Sequence, residues 1–281
     1  TCSEPGATMA PVIGNDTYLR TYFYDFGDYT RDMPWRSPGH SPVFSPCGLG
    51  GGGATRHPGN GAVAPTKEDQ GLDGRTWDAT TAGTPAYGVK TVWPAGSAQD
   101  VAWSITANHG GGYAYRLCPR GDGSAAAQSE ECFQAGHLEF VGDKSWIQYG
   151  DDASNRTAIP AHRTNKGTAP AGSTWTRNPI PACQYPDGVG TIICRKPMFE
   201  PPLPGLFGYG GAACSTVSAG AGGGCTQEQS QAWHDKFNFN IMDQVRVPKD
   251  LTPGEYVLSF RWDCEQTPQV WTQCSDITVT A

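Results

Sequence analysis

The residues with the clearest chemical potential lie in Trp103-Ser104-Ile105-Thr106-Ala107-Asn108-His109-Gly110, which continues through Tyr113-Ala114-Tyr115-Arg116-Leu117-Cys118. Apolar and polar residues alternate up to a glycine turn, and a second alternating run leaves that turn towards a cysteine, which predicts strand–turn–strand. The pattern sets one imidazole, the commonest metal-ligating side chain, at a strand end. A strand-end histidine with a purely structural partner fits the same residues equally well. His40 and His57 stand in a proline- and glycine-rich segment that could fold over the same face, whereas His234-Asp235 reads as a solvated pair.

Other chemistries find less in the chain. A glycoside hydrolase needs two carboxylates about 5–10 Å apart across a cleft. Glu130 and Glu131, read as extended chain, point to opposite sides, and Asp263 and Glu265 would share a strand face beside Cys264. There is no GxSxG elbow for a serine nucleophile and no GxxxxGK[ST] phosphate loop. Aromatic residues are abundant, with nine Trp and eleven Tyr, more than a core of this size demands. Trp35, Trp175 and Trp233, with the cluster from Tyr18 to Tyr29, sit in loop-like context and could stack on pyranose rings. The same rings would also serve to cover sandwich edges or make subunit contacts.

The elements that must position these residues read as strands. They are expected at Lys90–Val92, Asp100–Ala107, Tyr113–Leu117, Leu138–Val141, Trp146–Tyr149, Asn238–Val247, Gly254–Cys264 and Ser275–Thr280. With 37 Gly, 23 Pro and only 17% charged residues, the composition suits short strands joined by long irregular loops. Strand after strand without helical periodicity implies an all-β, antiparallel immunoglobulin/fibronectin-like sandwich with long disulfide-stapled loops. One elaborated domain over residues 1–281 is expected, with an irregular N-terminal arm to residue 90, a sandwich core over 90–281 and a loop insertion at about 172–231.

Ten cysteines, an even number, imply an oxidising compartment and up to five disulfides. Proximity in sequence favours Cys118–Cys132, Cys183–Cys194, Cys214–Cys225 and Cys264–Cys274, leaving Cys2–Cys47, although spacing alone does not fix the connectivity. Asn15-Asp16-Thr17 and Asn155-Arg156-Thr157 fit the N-glycosylation sequon. These features predict a secreted, extracellular glycoprotein. No apolar run approaches membrane-spanning length. The net charge of -7 without Lys/Arg clusters argues against nucleic acid or an anionic membrane as partner.

Two blocks, "ITANHGGGYAYRLCP" followed by "EECF", and "GEYVLSFRWDCEQTPQVWTQCSDITV", resemble the lytic polysaccharide monooxygenases, especially their eukaryotic chitin-binding type-4-like branch. The resemblance covers residues 90–150 and 238–281, under half the chain. It implies that His109 matches the internal copper-binding histidine, Trp271 the axial aromatic, and Gln269 an outer-sphere glutamine beside bound oxygen. The family's remaining ligand is an N-terminal histidine that gives both its amino group and its ring; Thr1 occupies position 1 here. The implied function is engagement of an insoluble polysaccharide (chitin, cellulose or another β-glycan), with copper-dependent oxidative cleavage where a histidine precedes this sequence in the natural protein. Without one, the resemblance implies a binding module on the same scaffold. A rival reading from the composition is a self-associating subunit of an extracellular filament or matrix, because the N-terminal arm has little core of its own.

Overall fold

A computed structural model describes residues 91–105, 107–124, 126–183, 194, 196–209, 237–265 and 270–281, together with 38, 39, 43, 46–50, 72 and 73. Two short strands, β1 (Leu49–Gly50) and β2 (Leu72–Asp73), pair with each other. The rest of the β structure forms two sheets. One runs in the order β3 (Thr91–Pro94), β13 (Val270–Thr280), β12 (Gly254–Asp263), β5 (Gly112–Pro119), β10 (Trp175–Arg177), β9 (Arg163–Thr164). The other runs β4 (Ala98–Trp103), β11 (Asn240–Arg246), β7 (Lys144–Gln148), β8 (Arg156–Pro160), with β6 (Glu139–Phe140) also pairing β11. All neighbours are antiparallel except β3 and β13. The expected all-β sandwich is what forms. No helix among the described residues is long and apolar enough to cross a membrane.

Alternation decides the core. Tyr256, Leu258 and Trp262 of β12, Tyr113, Tyr115 and Leu117 of β5, and Ile241 and Val245 of β11 point between the sheets and are buried there with Val101, Trp103 and Ile147. Each such side chain contributes about 1.5–3 kcal/mol by leaving water. One polar link crosses this core: Tyr113 Oη donates to Asp243 Oδ2 at 2.6 Å, and Ser145 Oγ donates to Oδ1 at 2.6 Å. Arg163 stands 3.4 Å from the same carboxylate.

The opposite face of β5 and β12 is not left to solvent. Arg116, Ser259, Arg261 and Asp263 alternate with the core residues yet are all at most 2% exposed. A short helix, α1 (Glu130–Ala135), covers part of them. Ser129 caps it by accepting from the Cys132 N–H, Glu130 and Glu131 sit in its first turn, and Phe133 is buried. Glu130, read as extended in the sequence, therefore lies on a helix and binds both Arg116 (2.6 Å) and Arg261 (3.0 Å), while Asp263 pairs with Arg261 at 2.7 Å. Two guanidinium groups so deeply buried require such partners. Desolvation still pulls the Arg116 guanidinium down to about 10, against the opposing pull of Glu130. Burial, reinforced by those two cations, pulls the nearby His137 imidazole down to about 3.

Residues 39, 46 and 47 also lie against that face. Gly39 N donates to Asp263 Oδ2 at 2.8 Å, and Ser259 Oγ donates to Pro46 O at 2.6 Å. Cys47 is bonded to Cys274 with Cα atoms 4.9 Å apart. These described residues of the arm find partners in their own chain.

That disulfide corrects two expected pairings. Cys274 lies opposite Ser259 in the β12–β13 ladder, five residues from Cys264 along β12. At about 3.4 Å per residue this separates Cys264 from Cys274 by roughly 17 Å, far beyond disulfide reach. Cys264 is instead buried at the end of β12, and Cys47 is not available to Cys2. Cys118–Cys132 and Cys183–Cys194 form as expected. Cys2, Cys214 and Cys225 lie outside the described residues.

Candidate functional site

The loop between β4 and β5 carries His109, and its shape is set by the residue before it. Asn108 is fully buried; its Nδ2 donates to Ile180 O (3.0 Å), while its Oδ1 accepts from Gly110 N (3.0 Å) and Asn178 Nδ2 (2.9 Å). The Asn108 N–H donates to Tyr209 O, and the Asn178 N–H to Gly111 O at 2.8 Å. A short polar side chain that bonds its own turn is what an asparagine supplies here. Gly110 and Gly111 follow with φ of +65° and +90°, and a Cβ on Gly111 would stand 1.9 Å from Asp263 O. Only glycine lets β5 start this close to the end of β12.

The end of β12 holds the loop from the other side. Trp262 Nε1 donates to Gly110 O at 2.8 Å, Glu265 N donates to His109 O at 3.1 Å, and Glu265 Oε2 accepts from Gly111 N at 3.0 Å. His109 is thereby fixed between three segments, residues 178–182, 207–209 and 262–265, with only 5% of its surface exposed. The ring of Tyr209 meets its imidazole edge-on, centroids 5.3 Å apart. Beneath them Trp103 packs against Trp262 (5.3 Å) and Tyr113 (4.8 Å). Burial, then the charge that a neighbouring Cys264 thiolate would carry, pushes the Tyr209 phenol up. Tyr209 is half-buried and presents a polar tip on an aromatic body.

Trp271 sits at the same end of the sandwich, directly across the ladder from Trp262 and partly buried against the core. The structure therefore brings the His109 loop and the Trp271 strand together through Trp262. Gln269, Trp35, Trp233, His40, His57 and His234 fall outside the described residues, as does Asn15. Trp175 does not join the site and is not a sugar platform. It is fully buried on β10 over Ala114, its Nε1 donates to Ser173 Oγ at 3.1 Å, and its ring lies near His137 and Arg261. The stretch read as the start of a loop insertion contributes a three-residue strand there, too short to show a period in the sequence.

Tyr209 is the residue that sequence reasoning missed. It lies in the Pro201–Gly211 stretch, about a hundred positions from His109, and its one local sign is an aromatic flanked by glycines. Of the four carboxylates weighed for hydrolysis three are engaged, Asp263 by Arg261 and Gly39, Glu265 by Gly111 and Glu130 by two arginines, while Glu131 is exposed in the first turn of α1. Copper of the kind implied by the resemblance needs three nitrogens. Among the described residues no three His, Cys, Asp or Glu side chains gather to hold a metal, and His109 offers a single imidazole. The described residues do not make a copper site.

No family model matches the chain. It is 24% identical over 204 residues to the AA13 family lytic polysaccharide monooxygenase A of Pyricularia oryzae, a match covering 70% of this chain and 45% of that protein. The chain thus spans less than half the length of the relative it matches. A solved structure, the lytic polysaccharide monooxygenase AA15 from Thermobia domestica in the Cu(I) state, aligns over 77% of this chain and 89% of its own. That overlap has a TM-score of 0.32 at 15% identity, too loose to bear on the fold. In sequence the chain is thus similar to a lytic polysaccharide monooxygenase.

Proposed function

We propose that this is a secreted protein that engages a β-linked polysaccharide at the end of the sandwich formed by His109, Tyr209 and Trp271. One observation carries the reading: a rigid loop, bonded from three sides, holds an imidazole beside a half-exposed tyrosine in a chain whose relative is named for action on polysaccharide. Aromatic rings that need no reordering bind sugar faces at small entropic cost. Disulfides at Cys47–Cys274, Cys118–Cys132 and Cys183–Cys194 support an oxidising, secretory setting. Oxidative cleavage would need two further nitrogen ligands beside His109, which the described residues do not supply.

The test is depletion of the secreted full chain from solution by suspended chitin, cellulose and other insoluble β-glucans. At least one of these should remove it, and Tyr209→Ala should weaken the retained binding about tenfold, the loss of roughly 1.4 kcal/mol of stacking. Recovery of all the protein in the supernatant with every polysaccharide would refute the proposal.

A further inference from the structure

Independently of the polysaccharide reading, we infer that Asn155 carries an N-linked glycan whose first N-acetylglucosamine rests on the ring of Tyr149. Three observations meet at one hairpin. Asn155 and Thr157, the two residues of the sequon that are read, are both exposed. Arg156 between them is drawn to the other face, where its Nε donates to Gln148 Oε1 at 2.5 Å. Tyr149 is 42% exposed, and with Val92 it is one of two large apolar side chains left in water among the described residues.

Register brings them together. The β7–β8 ladder ends with Gln148 opposite Arg156, so Tyr149 and Asn155 are the two residues that flank the loop closing this hairpin. The turn that closes the hairpin is tight: Asn155 N donates to Asp152 O at 3.0 Å and Ser154 N to Asp152 Oδ1 at 2.8 Å. Tyr149 in turn meets Phe239 edge-on at 5.9 Å, and Phe239 stacks on Phe237 at 5.9 Å. A sugar whose apolar C–H face lies on Tyr149 would continue that aromatic row and cover the ring that the chain leaves bare. The row lies at the end of the sandwich at which β4 leads into the His109 loop, because Asn240 pairs with Gln148 while Ile241 pairs with Trp103. The glycan would therefore flank the candidate site.

Attachment forms a bond from Asn155 Nδ2 to C1 of the sugar and breaks the C1–O bond to its carrier. The carrier is a polyisoprenyl diphosphate of the secretory route, which leaves as the free lipid diphosphate, while the amide gives up one proton. Nothing is oxidised or reduced.

The test uses the full chain secreted by a eukaryotic host. Mass spectrometry of the peptide containing Asn155 should show it glycosylated, still so in Thr157→Ser, and bare in Thr157→Ala. Thr157→Ala should lower Tm by about 2–4 °C, and by less than half of that when Tyr149 is already alanine. Trimming the wild-type glycan to its single innermost sugar should keep the full Tm. An unmodified Asn155, an equal Tm loss in both backgrounds, or loss of the shift on trimming would each overturn the inference.

Discussion

Asp243 is the residue whose chemistry is most exposed to test. Its carboxylate lies between the two sheets, and desolvation pushes its pKa up despite the hydrogen bonds from Ser145 and Tyr113. An acid with a raised pKa binds its proton more tightly in the folded chain than in the unfolded one. Its contribution to stability is therefore full below the unfolded value near 4 and is lost as pH rises through the folded value. Asp243→Asn, which cannot titrate, should trail the wild type most in Tm at about pH 3–4, and the gap should narrow on the way to pH 7. A gap that widens with pH would show that Arg163, and not burial, governs the group. Asp243→Ala should cost about 3 kcal/mol in denaturant melts at about pH 3–4, since it strands the Tyr113 and Ser145 hydroxyls, and less at pH 7 by the same linkage.

At the scale of elements, two devices hold the candidate site and its scaffold. Gly111 allows β5 to begin against Asp263 O; Gly111→Ala should cost about 2 kcal/mol or more and shift the His109 ring resonances in an NMR spectrum. An alanine there with unchanged stability and unchanged His109 shifts would mean that the loop is not held by β12. The Cys47–Cys274 bond, spanning 227 residues, closes the arm over the outer face. Cys274→Ser should cost about 3–5 kcal/mol and open the chain around residues 38–48 to limited proteolysis before the sheets are cut. An unchanged denaturation midpoint would assign the arm no role in stability.

These elements also show what the sequence revealed. The strands with a clear period of two, such as Tyr256 to Trp262 with its partner face, were readable, and so was the sandwich they imply. The outward face of β12 was not, because Ser259, Arg261 and Asp263 look like solvent-facing residues until α1 and the arm are laid over them. Trp175 was misread for the same reason: a lone aromatic in a Gly- and Pro-rich stretch resembles an exposed platform, and only the pairing of Thr176 with Tyr113 buries it. The Cys264–Cys274 guess failed because nearness along the chain was taken for nearness across a hairpin whose register sets Cys274 against Ser259.

For the whole molecule, the sandwich serves to present one end. Asn108, Gly111, Trp262 and Glu265 come from opposite strands of the six-stranded sheet or its loops and converge there, so that His109 and Tyr209 are held by bonds within the chain. His109 in its glycine turn was legible from the motif alone, whereas Tyr209 was not, since long-range loop contacts leave no periodic trace. If this end is the binding surface, a glycan must shield it and leave the broad outer face of the five-stranded sheet, marked by Trp146, as accessible as before.

Hydroxyl-radical footprinting of the secreted protein, with and without the polysaccharide that retains it, measures this directly. Oxidation of Tyr209 and Trp271 should fall severalfold on binding while that of Trp146 holds steady. Protection of Trp146 with Tyr209 and Trp271 unchanged would place the binding surface elsewhere and contradict the account.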